Sequence, residues 1–168
     1  RAQGGAGHHT GKVGGMASMI LSARGLVRHF GGLKAVDGVD LDLVQGRVHA
    51  LIGPNGAGKT TLVSLLSGRV PVQAGSITLG SEEIAHLPAH ARVRKGIAYT
   101  FQITSIYPRL TVAENVALAR GGMVELERVG LADRAGQVAG TLSYGHQRLL
   151  EVAMGLSLRP RVLILRSE

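Results

Sequence analysis

Gly53-Pro54-Asn55-Gly56-Ala57-Gly58-Lys59-Thr60 fits the spacing G-x-x-x-x-G-K-T/S. Each residue type has a task in that spacing. The glycines let the backbone curl until successive N–H groups point inward at phosphate oxygens. A helix opening at Lys59 adds its positive N-terminal pole. Lys59 brings a point charge to the β- and γ-phosphates, and the Thr60 hydroxyl can ligate Mg²⁺. Residues 53–61, Thr61 included, are expected to hold the nucleotide. A chance glycine-rich turn is the competing reading, but it leaves four fixed positions and their flanks unexplained. The motif alone specifies a nucleoside triphosphate, not the chemistry that follows.

Such a loop works only between a strand and a helix, and the flanks read that way. Residues 48–52 form a short apolar run, which predicts a buried strand leading into the loop. Leu62, Leu65 and Leu66 fall at helical spacing over 59–66, with Gly68 as the C-terminal cap. Val39, Leu41 and Leu43 alternate with Asp40 and Asp42, the pattern of a half-buried strand. Ile77 and Leu79 predict a further strand after a turn at Gly75. Residues 112–119 and 125–129 read as helical, and Leu149, Val152, Ala153 and Leu156 line one face of another helix. The continuous apolar run 162–165 is of the buried parallel-strand kind. An α/β part therefore precedes residue 100, and a helical part covers about 110–158.

Bulk properties narrow the classes. A chain of 168 residues is one domain or slightly more, and 45% hydrophobic residues suffice for a core, which excludes a disordered, charge-rich chain. The absence of cysteine excludes a disulfide framework or thiolate zinc site and fits a reducing compartment. No apolar run approaches the ~20 residues that span a bilayer. Residues 1–15 lack the apolar stretch of a secretory signal and read as a disordered leader, with Met16 or Met19 as a natural start and His8 and His9 incidental. A net charge of +8 admits nucleic acid, phosphate ligands, an anionic membrane or a plainly solvated basic surface. With only 3% aromatic residues, platforms for stacking bases are poorly supplied, so no nucleic-acid partner is expected.

Leu142-Ser143-Tyr144-Gly145-His146-Gln147 resembles the LSGGQ signature of the ABC ATPases. Gln102, in Tyr99-Thr100-Phe101-Gln102, sits where that family keeps its Q-loop glutamine. Phe30 stands near the place of the family's adenine-stacking aromatic, and Pro108 to Val116 resembles the segment opening its helical subdomain. Order and spacing agree from about residue 20 to 165. The resemblance implies an α/β P-loop NTPase core with an antiparallel β subdomain and a helical signature subdomain over about 103–158. Residues 16–168 would then be a partial ABC ATP-binding domain, incomplete at the C-terminus. It implies ATP and Mg²⁺, with Thr60 and Gln102 on the metal and Gln102 as the catalytic candidate and nucleotide sensor. Ser143 and Gly145 would meet the γ-phosphate held by another protomer, giving a head-to-tail homo- or heterodimer with another ABC ATPase subunit. The loop after Gln102 would meet the transporter's membrane subunits, placing the chain peripherally on the cytoplasmic face of the inner membrane. Residues 28–36, Thr100-Phe101-Gln102 and Leu142-Ser143-Tyr144-Gly145 resemble most the ATP-binding subunits of branched-chain amino acid importers. The stretch 87–92 also resembles the lipopolysaccharide-export ATPase, which ranks second.

Plainer roles stand beside these. Phe30 alone would be a core or rim aromatic, and Ser143 a helix N-cap, a role compatible with phosphate contact. His146, where the family has Gln or Glu, is expected to be merely exposed, and Tyr99 and Tyr107 to pack. The family's pattern breaks after 162–165, where Asp-Glu is expected and Arg166-Ser167-Glu168 stands. Arg166 takes the metal-site aspartate's place and Ser167 the catalytic glutamate's. The switch histidine does not occur in the sequence given, and the region 120–125 is shorter than usual. These departures predict a hydrolysis-defective chain, the truncated or frameshifted product of a transporter ATPase gene. A non-catalytic nucleotide-binding interaction module and a nucleic-acid-associated ABC ATPase are the alternatives.

Overall fold

A long hairpin of β1 (Met19–Phe30) and β2 (Leu33–Val44) turns at Gly31-Gly32. The computed structural model describes residues 18–99 and 106–165. β1 also pairs with β3 (Ala74–Leu79), and β3 with β4 (Glu82–Glu83), giving an antiparallel sheet in the order β2-β1-β3-β4. Gly75 lies inside β3 rather than in a turn before it. Its φ of +102° lets it cross the register break of β1, where a side chain would stand 2.6 Å from the Arg24 and Gly25 carbonyl oxygens.

Helix α1 (Lys59–Ser67) ends as expected on Gly68, whose left-handed backbone returns its N–H to Leu65. Leu62, Leu65 and Leu66 bury into one core with Leu21, Leu26, Val36 and Ile77 of the antiparallel sheet. After α2 (Ala89–Arg94), β5 (Ile97–Tyr99) pairs in parallel with β6 (Val162–Ile164), Ile97 opposite Val162. The apolar run 162–165 is thus a strand over three of its residues, with Leu165 53% exposed.

The expected strand at 48–52 is not formed. Val48 is 99% and Ile52 89% exposed, and no strand is present from 47 to 54. An apolar run becomes a strand only when neighbours take its N–H and C=O groups. Among the described residues the parallel sheet has β5 and β6, and no strand pairs with 48–52.

The helical part forms a second core. It comprises α3 (Val112–Leu118), α4 (Met123–Arg128) and α5 (Tyr144–Ser157), with single 3₁₀ turns at Ala132–Arg134 and Ala139–Thr141. Thr111 and Glu114 close a reciprocal capping box at the start of α3. The buried face of α5 is Leu150, Ala153, Met154 and Ser157, one residue on from the predicted face, and Leu149 is exposed. One residue is about 100° of helix rotation. Small groups explain the choice: the Ser157 hydroxyl turns back to the Ala153 carbonyl at 2.9 Å, and Gly121 approaches it so closely that a Cβ would stand 2.0 Å from Ser157 Oγ.

Candidate nucleotide site

The phosphate loop begins in the exposed 48–52 segment and ends on α1. Gly56 and Gly58 both adopt φ of +81°, the curl that glycine permits without strain. At Gly58 glycine is also needed for space, because a Cβ would stand 2.0 Å from the Ala35 carbonyl oxygen of β2. Gly58 is the N-cap of α1 and has no side chain to occupy the first-turn N–H groups, and no acidic residue lies in that turn. Those donors and the helix pole are available to an anion. The Lys59 ammonium folds back over the loop, donating to Pro54 O at 2.6 Å and to Gly53 O. Asn55, Gly56 and Ala57 face solvent, Thr60 is exposed and Thr61 half-buried. A positive, open cradle of uncapped donors fits a triphosphate. Among the described residues no three His, Asp or Glu side chains gather to hold a metal, so the described group suited to Mg²⁺ is the Thr60 hydroxyl.

The far end of α1 is held by a residue that sequence reasoning missed. Arg92 of α2 is 1% exposed. Its guanidinium donates to the Leu65 and Leu66 carbonyls that end α1, the latter at 2.9 Å, and to Ala85 O and Leu87 O. Burial pushes its pKa below the ordinary arginine value, partly countered by the Glu83 carboxylate. In sequence it sits beside Arg94 and Lys95 and looks like one more surface cation. Asn115 was missed in the same way. It is fully buried, accepting the Tyr107 N–H at 2.7 Å and donating to Thr111 O at 2.9 Å, and so pins the segment 106–111 to α3.

The signature residues open α5. Ser143 is its N-cap, Leu142 is buried beneath, and the space around Gly145 is open. Tyr144 is 68% exposed, with the Arg148 guanidinium 5.3 Å from its ring centroid. Arg148 also pairs with Glu151 at 2.7 Å, which holds its pKa above the ordinary arginine value. His146 is half-buried rather than merely exposed, and its Nδ1 lies 2.8 Å from Ser143 Oγ. Phe30 stands at the β1–β2 turn, 45% exposed, with the Arg28 guanidinium 4.8 Å over its ring. Tyr99 packs as expected, at 2% exposure, but Tyr107 is 55% exposed because Asn115 holds its backbone while its ring points away from the core. Gln102, with Thr100 and Phe101, lies outside the described residues, as do Arg166, Ser167, Glu168 and the leader with His8, His9 and Met16.

Phosphate loop, signature serine and two separate cores thus occur in one chain, and the ABC transporter family model matches residues 36–165. The chain belongs to the ABC transporter family, among its ATP-binding subunits. It is 38% identical over 177 residues to the high-affinity branched-chain amino acid transport ATP-binding protein BraF of Pseudomonas aeruginosa, covering 89% of this chain and 69% of that protein. Identity to LivG of Escherichia coli, of the same description, is 34% with the same coverage. Among solved structures, MJ1267, an ATP-binding cassette of an ABC transporter, superposes with a TM-score of 0.77 at 26% identity, covering 87% of this chain and 68% of that one. The BraF alignment has more positions, 177, than this chain has residues, 168, so BraF carries internal segments that this chain lacks. Among the described residues of this ABC ATPase, no helix is long and apolar enough to cross a membrane.

Proposed function

We propose that this ATP-binding subunit serves an importer of branched-chain or related amino acids, and that it binds MgATP without supporting turnover. The observation that carries nucleotide binding is the cradle itself: Gly58 pressed against Ala35, an uncapped α1 and the Lys59 ammonium folded over the loop. The importer assignment is supported by the relatives, whose descriptions name branched-chain amino acid transport.

Residues 53–61 hold the phosphates, Phe30 stacks on adenine, and Thr60 and Gln102 reach the metal. Ser143 and Gly145 meet the γ-phosphate held by a second ABC ATPase protomer. The segment after Gln102, anchored at its far end by Asn115, faces the membrane subunits. The chain works at the cytoplasmic face of the membrane. Hydrolysis needs a secured Mg²⁺ and an oriented water. By sequence position Arg166 stands where the family has its metal-site aspartate and Ser167 where it has the catalytic glutamate, and a serine cannot serve as the carboxylate base. Loss of a general base alone costs about 10²–10⁴-fold.

Titration calorimetry with ATP tests the cradle. Lys59→Ala removes a charge-assisted contact of ~1.5–3 kcal/mol, roughly ten- to a hundredfold in affinity. Equal binding by the two chains refutes the loop assignment, and steady turnover abolished by Lys59→Ala refutes the hydrolysis reading. Co-purification with membrane subunits of a branched-chain importer, and not with those of a lipopolysaccharide exporter, tests the transport class.

A further inference from the structure

Two contacts converge on the hydroxyl of Ser143, and both come from His146. The His146 backbone N–H donates to Ser143 Oγ at 3.4 Å, and the imidazole Nδ1 lies 2.8 Å from the same oxygen. A serine hydroxyl has one proton to give and two lone pairs to receive with. When the imidazole accepts at Nδ1, Ser143 has spent its proton and can offer an incoming anion nothing but lone pairs. When Nδ1 carries a proton, it donates to Ser143, and the serine O–H turns outward. The protonated ring also adds a positive charge to the positive pole of a 14-residue helix.

We propose that His146 is a positioning residue that gates Ser143: the neutral ring with its proton on Nε2 withholds the serine proton from a phosphate oxygen, and the doubly protonated ring releases it. This rests on the reading of Ser143 as the contact to the γ-phosphate of a partner-held ATP. Gln147 and Gly145 do not substitute for that donor. The Gln147 amide is spent on Leu142 O at 3.1 Å, and Gly145 has no side chain. On α5 the charged groups are Arg148 and Glu151, paired with each other. The helices packed most closely against α5 are α3 and α4, and the segment 131–142, which carries Asp133 and Arg134, shares their core. On α3 Glu114 is bound to Thr111; on α4 Glu125 closes onto the Gly122 N–H, and Glu127 and Arg128 complete the set. Among the described residues none of these forms an ion pair with His146.

Histidine side chains commonly change charge between pH 5 and 8. ATP-driven association of two chains therefore strengthens as pH falls, through one added charge-assisted donor per site. The test compares the full chain, His146→Gln and Ser143→Ala with MgATP, by sedimentation at pH about 6 and about 8. The protonation of ATP itself is common to all three chains, so ratios of association constants isolate the side chain. The ratio of wild type to His146→Gln is expected to rise about tenfold from the higher to the lower pH. In parallel, ¹⁵N spectra of the imidazole without nucleotide are expected to show Nδ1 unprotonated at the higher pH, with a signal that moves in Ser143→Ala. An unchanged ratio, or Nδ1 already protonated at the higher pH, overturns the gating. Absence of ATP-driven association, or Ser143→Ala associating as tightly as wild type at both pH values, refutes the reading of Ser143 itself, and the gating falls with it.

Discussion

Arg92→Met is expected to destabilise the fold by about 3 kcal/mol, although Arg92 is no part of the proposed nucleotide site. The guanidinium serves four backbone carbonyls: Leu65 and Leu66 at the end of α1, and Ala85 and Leu87 on the approach to α2. Leu65 O keeps a second donor in the Gly68 N–H, whereas the other three lose their guanidinium bond. Each buried acceptor left unsatisfied costs about 1–3 kcal/mol. Against that, a buried cation no longer has to be desolvated, a penalty of several kcal/mol. Three lost acceptors less that relief leaves about 3 kcal/mol, which for a chain of this size lowers the melting temperature by roughly 6–12 °C. Urea unfolding followed by circular dichroism is the assay, and the midpoint should fall with an unchanged m-value. Arg92→Lys should recover less than half, because an ammonium cannot present the planar fork that reaches carbonyls on two sides. A loss below about 1 kcal/mol for Arg92→Met, the range of surface substitutions, would refute the account of Arg92 as the clamp on α1.

Gly58→Ala should lower ATP affinity at least about tenfold, since the left-handed backbone costs ~1–2 kcal/mol and the new methyl must displace Ala35. Gly56→Ala meets open space and should lose less; equal losses in calorimetry would contradict the geometry. Hydrogen bonds from the Thr111 backbone and side chain hold the Glu114 carboxyl below its ordinary value of 4.5. Its contribution to stability is therefore complete above that pH and is lost as pH falls through the lower folded value. Glu114→Gln should abolish that part of the acid dependence, and an unchanged acid-unfolding profile would count against the capping box. Phe30→Ala should weaken ATP and ADP alike and leave tripolyphosphate untouched; an equal loss with tripolyphosphate would mean that Phe30 serves only the fold.

Local pattern foretold much of this. The glycine curl at Gly56 and Gly58, α1 with its Gly68 end, the alternating β2 and the start of α3 all follow from spacing that a few neighbouring residues enforce. Ser143 as an N-cap follows for the same reason, because capping is settled within one helical turn. The 48–52 segment shows where local pattern stops. Its apolar run has the composition of a buried strand, yet strand formation needs a partner from elsewhere in the chain, and among the described residues no strand pairs with it.

What the sequence by itself determined is the loop proposed to meet a triphosphate, because Gly53 to Thr60 is contiguous and its curl is a property of its own backbone. Only the tertiary structure decided which groups support that set from afar. Arg92 lies 27 residues from Leu65 and reaches it because α2 packs on the end of α1. The buried face of α5 was chosen by Gly121 and Ser157, whose small volumes let two segments close together. His146, read as exposed, turned toward Ser143 because the N-cap brings its ring nitrogen to the serine oxygen. Spacing along a chain states which side chains exist at a site. Burial and direction, which set whether a guanidinium clamps a helix or an imidazole holds a hydroxyl, arise only when distant segments pack.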